Sequence, residues 1–400
     1  MHLFIIHQYA DFDNFSSVIF NLKKNNEEVL ILNIYPINDF QKLKVGKFLH
    51  ENKIPFFNLS DINFKNKILR LLIIFLFKFF YSKIEKCHSI FYFIYHKLIL
   101  FSSKELSNFL IKNKIKTISY DTSLPNRYKP IINNTKRYLD IKIFKYKIAI
   151  ELRKNINIYS DEVTNCDYLI LADSLSLEKL SFEEKKKIVI LKSLRFSKNW
   201  IDKIYKIFNL KNHFLNYKNN SPLKILILHR PLFSIDIWDK IVKGLSLINN
   251  CEVVFKKKPR GVMPVHLNNK RIEDLTSSEL VNWADLIVTQ STTIILEAAI
   301  KKKKIFYLDF LMGSKMYKKK NTEYSEEKYI FENYPFMNMV NSMDDLIEKV
   351  KKLQVNRESF EYNYQDVKFF FNKELEYDFE NNNFNDYLIL YNKLSKKTLK

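Results

Sequence analysis

The sequence predicts an α/β protein made of two doubly wound, parallel-sheet domains. Three observations predict it. Short apolar runs of strand length alternate with helix-length segments along most of the 400 residues. A polar, turn-rich stretch, 210–221, ends at Pro222 and divides the chain into halves that can each hold a core. Residues 283–310, WADLIVTQSTTIILEAAIKKKKIFYLDF, parse as strand, tight turn, helix and strand. In that unit 285–289 is a β-branched strand, Gln290 and Ser291 break it, and 294–300 are good helix formers. A second apolar run, 305–308, completes a crossover whose two strands are parallel neighbours.

The remaining elements follow in order. Residues 2–7, a helix over 12–23 and a strand over 28–35 make a first strand–helix–strand unit. A helix over 40–52 leads to a short strand at 55–59. Strands are expected within 113–121, 167–173 and 187–191. Beyond the boundary come a strand at 224–228, a helix at 235–247, a strand at 251–255 and a helix at 277–283. Helices at 324–336 and 343–353, and an apolar one near 387–394, finish the chain. The domains are therefore expected at 1–210 and 222–355, with a helical tail at 356–400.

Within the first domain, 66–104 is the most apolar segment and contains ILRLLIIFLFKFF. Arg70 and Lys78 interrupt its first part; His88, His96 and Lys97 interrupt the second. Neither part has the uninterrupted ~20 apolar residues that a spanning helix needs. Two readings fit: a pair of helices packed in the domain, or a basic, aromatic face lying on the inner leaflet.

Composition excludes several classes. Four glycines leave no room for a GxGxxG or Walker loop. No GxSxG elbow, HExxH or CxxC pair is present. Cys87, Cys166 and Cys251 are isolated, and no basic n-region precedes the first strand, so a reducing cytoplasm is expected. A formal charge of +22 suits an anionic partner, part of it a lysine bias shared with abundant Asn, Ile and Phe. No nucleic-acid motif accompanies that charge, and no nucleic-acid partner is expected.

Candidate chemistry gathers at strand ends, where open parallel sheets bind ligands. His229 and Arg230 follow one strand, Lys258 and Arg260 the next, and Gln290, Ser291, Thr292 and Thr293 the third. Cations and hydroxyls beside a helix start suit a diphosphate. Glu297, four residues after Thr293, shares its helix face and suits sugar hydroxyls. Each feature equally suits a solvated turn, a plain helix cap or a surface glutamate. On the first domain, His7, Asp11, Asp13, Asp121 and Asp173 are candidate bases, with His7 and Asp121 preferred and at most one of them the base.

Taken together, these segments resemble the GT-B glycosyltransferases of bacterial capsule and lipopolysaccharide synthesis, and more distantly the CDP-glycerol glycerophosphotransferases. Ser291, Thr292, Thr293 and Glu297 match the family's donor-contacting turn. KKKKIFYLDF stands where the family has Gly-Lys-Pro, with Lys302 and Lys303 replacing the glycine and lysine. VVFKKKPRG resembles its basic turn, with Arg260 after Lys258 and Pro259 and no histidine. LKSLRFSKNW keeps Arg195 and Trp200 of the turn that ends the first domain, without its glycine.

The resemblance implies two Rossmann-like domains facing a cleft, with the last helix crossing back to the first domain. It implies a cytoplasmic, membrane-peripheral enzyme that moves a sugar from a nucleotide donor to a glycan or lipid-linked acceptor. Neither metal nor cofactor is implied. Alternatives are a CDP-glycerol-type glycerophosphotransferase, a nucleotide-sugar epimerase, and a non-catalytic basic envelope-assembly protein.

Overall fold

The computed structural model describes residues 1–34, 40–62, 68–69, 71–72, 75, 102–147, 150, 152, 157–173, 175–208, 222–229, 235–256, 275–290, 292–311, 330–331, 334–381 and 384–395. Most of the apolar segment 66–104 and of the expected helix 324–336 lies outside these residues. The chain forms two compact units. Unit 1 comprises Met1–Ile150, Asn157–Trp200 and Asn382–Lys400; unit 2 comprises Glu151–Ile156 and Ile201–Asn381.

Unit 1 is built on seven strands: β1 (His2–Ile6), β2 (Val29–Asn33), β3 (Phe56–Asn58), β4 (Thr117–Asp121), β5 (Lys142–Lys147), β6 (Tyr168–Leu171) and β7 (Ile188–Ile190). Their order is β3-β2-β1-β4-β5-β6-β7, and every pairing is parallel. β1, β2 and β4 are buried at every position, as strands covered on both faces must be. Leu3, Ile5, Leu30, Ile118 and Ile143 share one apolar cluster with Leu106 and Leu110 of the helix Ser103–Lys112. That helix opens on a capping box between Ser102 and Glu105.

Unit 2 has five strands: β8 (Leu223–Leu228), β9 (Cys251–Lys256), β10 (Leu286–Thr289), β11 (Lys304–Leu308) and β12 (Asn338–Val340). They run in the order β12-β11-β10-β8-β9, again all parallel. β10, the helix Ile294–Ile300 and β11 form the crossover unit expected from 283–310, with Leu286 opposite Lys304 and Thr289 opposite Tyr307. Trp238, Ile241, Val242 and Leu245 of the helix Ile235–Ser246 fill the core beside Ile225, Ile227 and Val288.

The last helix, Phe384–Ser395, belongs to unit 1, as the resemblance implies. Tyr391 anchors it. Its ring lies edge-on to His2 and Phe144, with centroids at 4.7 and 5.1 Å. Its hydroxyl meets Ser119 Oγ at 2.7 Å and the Tyr146 hydroxyl at 2.8 Å. Burial raises the pKa of both tyrosines, so the cluster stays neutral.

Several elements differ from expectation. The helix expected over 40–52 is a short turn, Phe40–Lys42, followed by the helix Lys44–Glu51. Gly46 permits that fold-back, because a Cβ there would lie 1.7 Å from the Phe40 carbonyl oxygen. Strand β5, KIFKYK, carries too many lysines to read as a buried strand. Lys145 is nevertheless 2% exposed, its ammonium held by the carbonyls of Asp161, Glu162 and Thr164 at 3.3, 2.5 and 3.4 Å. Burial lowers its pKa. Strand β12 is additional, and the helix Tyr364–Glu374 falls within the expected helical tail.

The scarcity of glycine has a backbone consequence. Asn26, Lys53, Lys114 and Lys302 all have φ between 49° and 64°, just past a helix end. After Ile294–Ile300, the Lys302 N–H donates to Ala299 O at 3.0 Å and the Lys303 N–H to Ala298 O at 2.9 Å. These paired bonds define a Schellman ending, whose left-handed residue is usually glycine. Lys302 thus stands in the conformation that glycine would relax.

Two predictions follow from these features. Lys53 and Lys114 are exposed, and a left-handed non-glycine residue costs ~1–2 kcal/mol, only partly offset by the greater entropy that glycine loses on folding. Lys53→Gly and Lys114→Gly are each expected to add about 0.5–1 kcal/mol, read from the urea midpoint; a fall in midpoint would refute the strain. His2 is buried, and its pKa is lowered from 6.5 to about 4, chiefly by desolvation. The unfolded chain therefore binds more protons between these values. This contribution is complete above pH 6.5 and is lost as pH falls towards 4, by about 3 kcal/mol in all. His2→Gln is expected to flatten the fall of Tm over that window; an equal fall in both proteins would exclude His2 as the cause.

Candidate functional site

In a doubly wound sheet, the strand order reverses at one point, and the loops beyond the two strands there part to leave a crevice. In unit 1 that point lies between β1 and β4, whose partners include His2 with Thr117 and Ile5 with Tyr120. Both preferred candidates, His7 and Asp121, sit at the carboxyl end of this pair.

The helix Tyr9–Lys24, capped by Gln8, starts two residues after His7 and brings Asp11 against it. Asp11 Oδ2 lies 2.6 Å from His7 Nδ1 and accepts the His7 backbone N–H at 3.2 Å. Asp11 is 1% exposed and occupies the first helical turn, where the helix dipole favours an anion. The 2.6 Å contact is an ion-pair distance without hydrogen-bond geometry, and Nδ1 has no hydrogen-bond partner among the described residues.

The same network reaches Asp121. Gln8 Nε2 donates to Asp11 Oδ1 at 3.0 Å and to Ser123 Oγ at 2.7 Å. Ser123 donates its backbone N–H to Asp121 Oδ1 at 2.8 Å, and its hydroxyl bonds the same oxygen. A carboxylate accepting the N–H two residues on closes an Asx turn. Lys129, which donates to Thr122 O at 2.8 Å, has a pKa lowered by burial, with Asp121 opposing that shift. His7 thus lies against the Asp11 carboxylate, and Asp121 closes the turn at Ser123.

Asp13 and Arg195 pair at 2.6 Å near this edge. Burial raises the Asp13 pKa and the guanidinium pulls against it. Asp173 is buried beyond β6. In the sequence His7 and Asp11 stand as separate candidates; their pairing follows from the turn between β1 and the helix Tyr9–Lys24. Gln8 and Ser123 carried no signal, since their role depends on β1 and β4 being neighbours 115 residues apart.

In unit 2 the order reverses between β8 and β10, which end at His229 and Gln290. His229 is 5% exposed, its ring packed 5.6 Å from Trp238 and 5.4 Å from Phe255. The ring packs among aromatic side chains at the carboxyl end of β8. Gln290 is 1% exposed, and its Nε2 donates to Leu308 O at 3.2 Å, clamping the ends of β10 and β11. Thr292 and Thr293 are half-buried at the helix start, and neither hydroxyl bonds another described residue. Arg230, Lys258, Arg260 and Ser291 lie outside the described residues.

Glu297 is enclosed by two other helices. It is 4% exposed, and its oxygens accept from the Tyr205 hydroxyl at 3.0 Å and Ser278 Oγ at 2.9 Å. It therefore ties Ile294–Ile300 to the helices Lys198–Phe208 and Ser277–Trp283 instead of presenting a free carboxylate. Spacing along one helix placed it beside Thr293 but could not show that two other helices cover that face. Among the described residues, no group of three or more His, Cys, Asp or Glu is disposed to hold a metal ion.

No family model matches the chain, and no curated protein matches it in sequence. Solved structures do match its fold. The wall teichoic acid polymerase TagF superposes with a TM-score of 0.52 at 11% identity, covering 100% of this chain and 90% of that one. The MnaA–UDP complex from S. aureus superposes with a TM-score of 0.50 at 12% identity, covering 98% of this chain and 97% of that one. At such identities the likeness establishes architecture: a seven-stranded and a five-stranded Rossmann-like domain, the fold of the GT-B glycosyltransferases.

Proposed function

We propose that this chain is a glycosyltransferase that moves a sugar from a nucleotide-activated donor to a surface glycan or lipid-linked acceptor, working peripherally at the cytoplasmic membrane face. The observation that carries the reading is the His7–Asp11 pair at the unit 1 reversal point, 2.6 Å apart. In this reading Nε2 takes the proton of the acceptor hydroxyl as its oxygen attacks the donor's anomeric carbon. Asp11 stabilises the imidazolium that forms, and Asp121, through Ser123 and Gln8, holds the dyad in place.

Unit 2 would hold the donor. Thr292, Thr293 and Ser291, with the cations Arg230, Lys258 and Arg260, would take up the diphosphate charge as it leaves. Gln290 and Glu297 would act indirectly, by fixing the helix start that carries the hydroxyls. Direct displacement by these groups needs no metal.

A second reading keeps the fold and changes the donor. TagF, whose fold is shared over the whole chain, has been solved with CDPG, and MnaA with UDP. In a CDP-glycerol-type phosphotransferase the same base would take the acceptor hydroxyl's proton while its oxygen attacks the glycerol-bearing phosphorus and CMP leaves.

The two readings part in a donor panel. CDP-, UDP-, GDP- and CMP-linked sugars and CDP-glycerol are screened by thermal shift; a donor at 100 times its Kd stabilises the folded chain by about 2.7 kcal/mol. One class is expected to raise Tm, and no rise with any of them would sink both readings. With the donor identified, His7→Gln is expected to lower kcat by about 10²–10⁴ while the donor-induced shift persists. Asp11→Asn is expected to lower kcat less. Unchanged turnover in His7→Gln would remove His7 as the base.

A further inference from the structure

We infer that Tyr391, on the last helix of the chain, is a positioning residue for the site at the unit 1 reversal point; the inference rests on the reading of that site given above. Every residue concerned belongs to unit 1. The Tyr391 hydroxyl meets Ser119 of β4 at 2.7 Å and Tyr146 of β5 at 2.8 Å. Tyr391 and Ser119 are 0% exposed, and Tyr146 is 4% exposed. A helix that only had to cover the sheet could do so with apolar side chains. Burying hydroxyls costs desolvation that their mutual bonds must offset. Bonded to one another, they admit one arrangement where an apolar contact would let the helix slide.

What the hydroxyls fix is the reversal point. Tyr146 stands opposite Asp121 in the β4–β5 register, and its carbonyl accepts the Thr122 N–H at 2.7 Å, so it holds the chain where Asp121 turns. Ser119 lies two residues before Asp121, on the same face of β4. On the other side, the Tyr146 ring meets Phe15 edge-on, with centroids 5.1 Å apart. Phe15 is one turn beyond Asp11 on the same face of the helix Tyr9–Lys24, and it also packs on Phe4 of β1 at 5.3 Å. Tyr146 therefore touches both halves of the network that runs from Asp11 through Gln8 and Ser123 to Asp121. Tyr391 secures it. Its hydroxyl holds the Tyr146 ring, its own ring packs on His2, Phe4 and Phe144, and its helix rests against Tyr9–Lys24. A small slide of that helix along β4 would stretch the Gln8 bonds to Asp11 and Ser123, now 3.0 and 2.7 Å, and carry His7 with them. Turnover is sensitive to displacements of this kind.

The test uses the full chain and the donor found by thermal shift. Tyr391→Phe removes one oxygen and leaves the ring packing, so the protein is expected to stay folded, with Tm lower by about 2–4 °C. Its kcat is expected to fall about tenfold, while the donor KM and the donor-induced rise in Tm match the parent's. Ser119→Ala breaks the same bond from the strand side and is expected to behave alike, which keeps the test open if Tyr391→Phe does not fold. In a His7→Gln background, Tyr391→Phe is expected to cost no further turnover, because a residue that acts through another is not additive with it. Parent kcat in both single variants would overturn the inference, and so would losses that multiply in the double variant, the mark of a merely structural role. Parent-like turnover in His7→Gln alone would instead remove the reading on which the inference rests, so the two failures show in different proteins.

Discussion

Parallel pairing is the constraint on which the rest depends. Because every strand in both sheets runs the same way as its neighbours, all carboxyl ends in a unit lie along one edge, and each return crossing must travel through a helix or loop. Residues far apart in the chain are thereby delivered to one place. His7 and Asp121 become neighbours only because β4 pairs with β1 on the side away from β2. In unit 2, His229 and Gln290 are adjacent for the same reason.

Burial then decides what each delivered residue does. At the unit 1 reversal point, polar groups form a connected chain: Asp11, Gln8, Ser123 and Asp121 satisfy one another, and His7 is held by the first. At the unit 2 point, His229 lies among aromatic rings and Gln290 spans two strand ends. Buried polar atoms need partners. The difference between the edges is therefore chemical, although the topology is the same.

The fold was largely legible in the sequence because continuous apolar runs and helix-length segments alternate, which is how strands covered on both faces read. The crossover from β10 to β11 was read to within a residue or two. Strand β5 was hidden because Lys145 masks the apolar run, and only the carbonyls of a following turn make its burial tolerable. The site was half legible. The types of residue at strand ends could be read, whereas the pairing of His7 with Asp11 depends on the turn between β1 and the helix Tyr9–Lys24. What covers Glu297 and His229 could not, because Tyr205, Ser278 and Trp238 reach them through packing between elements distant in sequence.

The left-handed turns occupied by lysine and asparagine have a practical bearing on the dyad. Proteins sit near a stability threshold, and replacing a buried residue such as Asp11 draws on whatever margin is left. Lys53 and Lys114 stand at helix exits, on the surface, and share no hydrogen bond with either reversal point. Strain kept at such places can be relieved independently of the chemistry, because distant sites combine additively. A chain so poor in glycine therefore carries its own reserve of background substitutions, against which disruptive changes at His7 or Asp11 can be studied in a protein that stays folded.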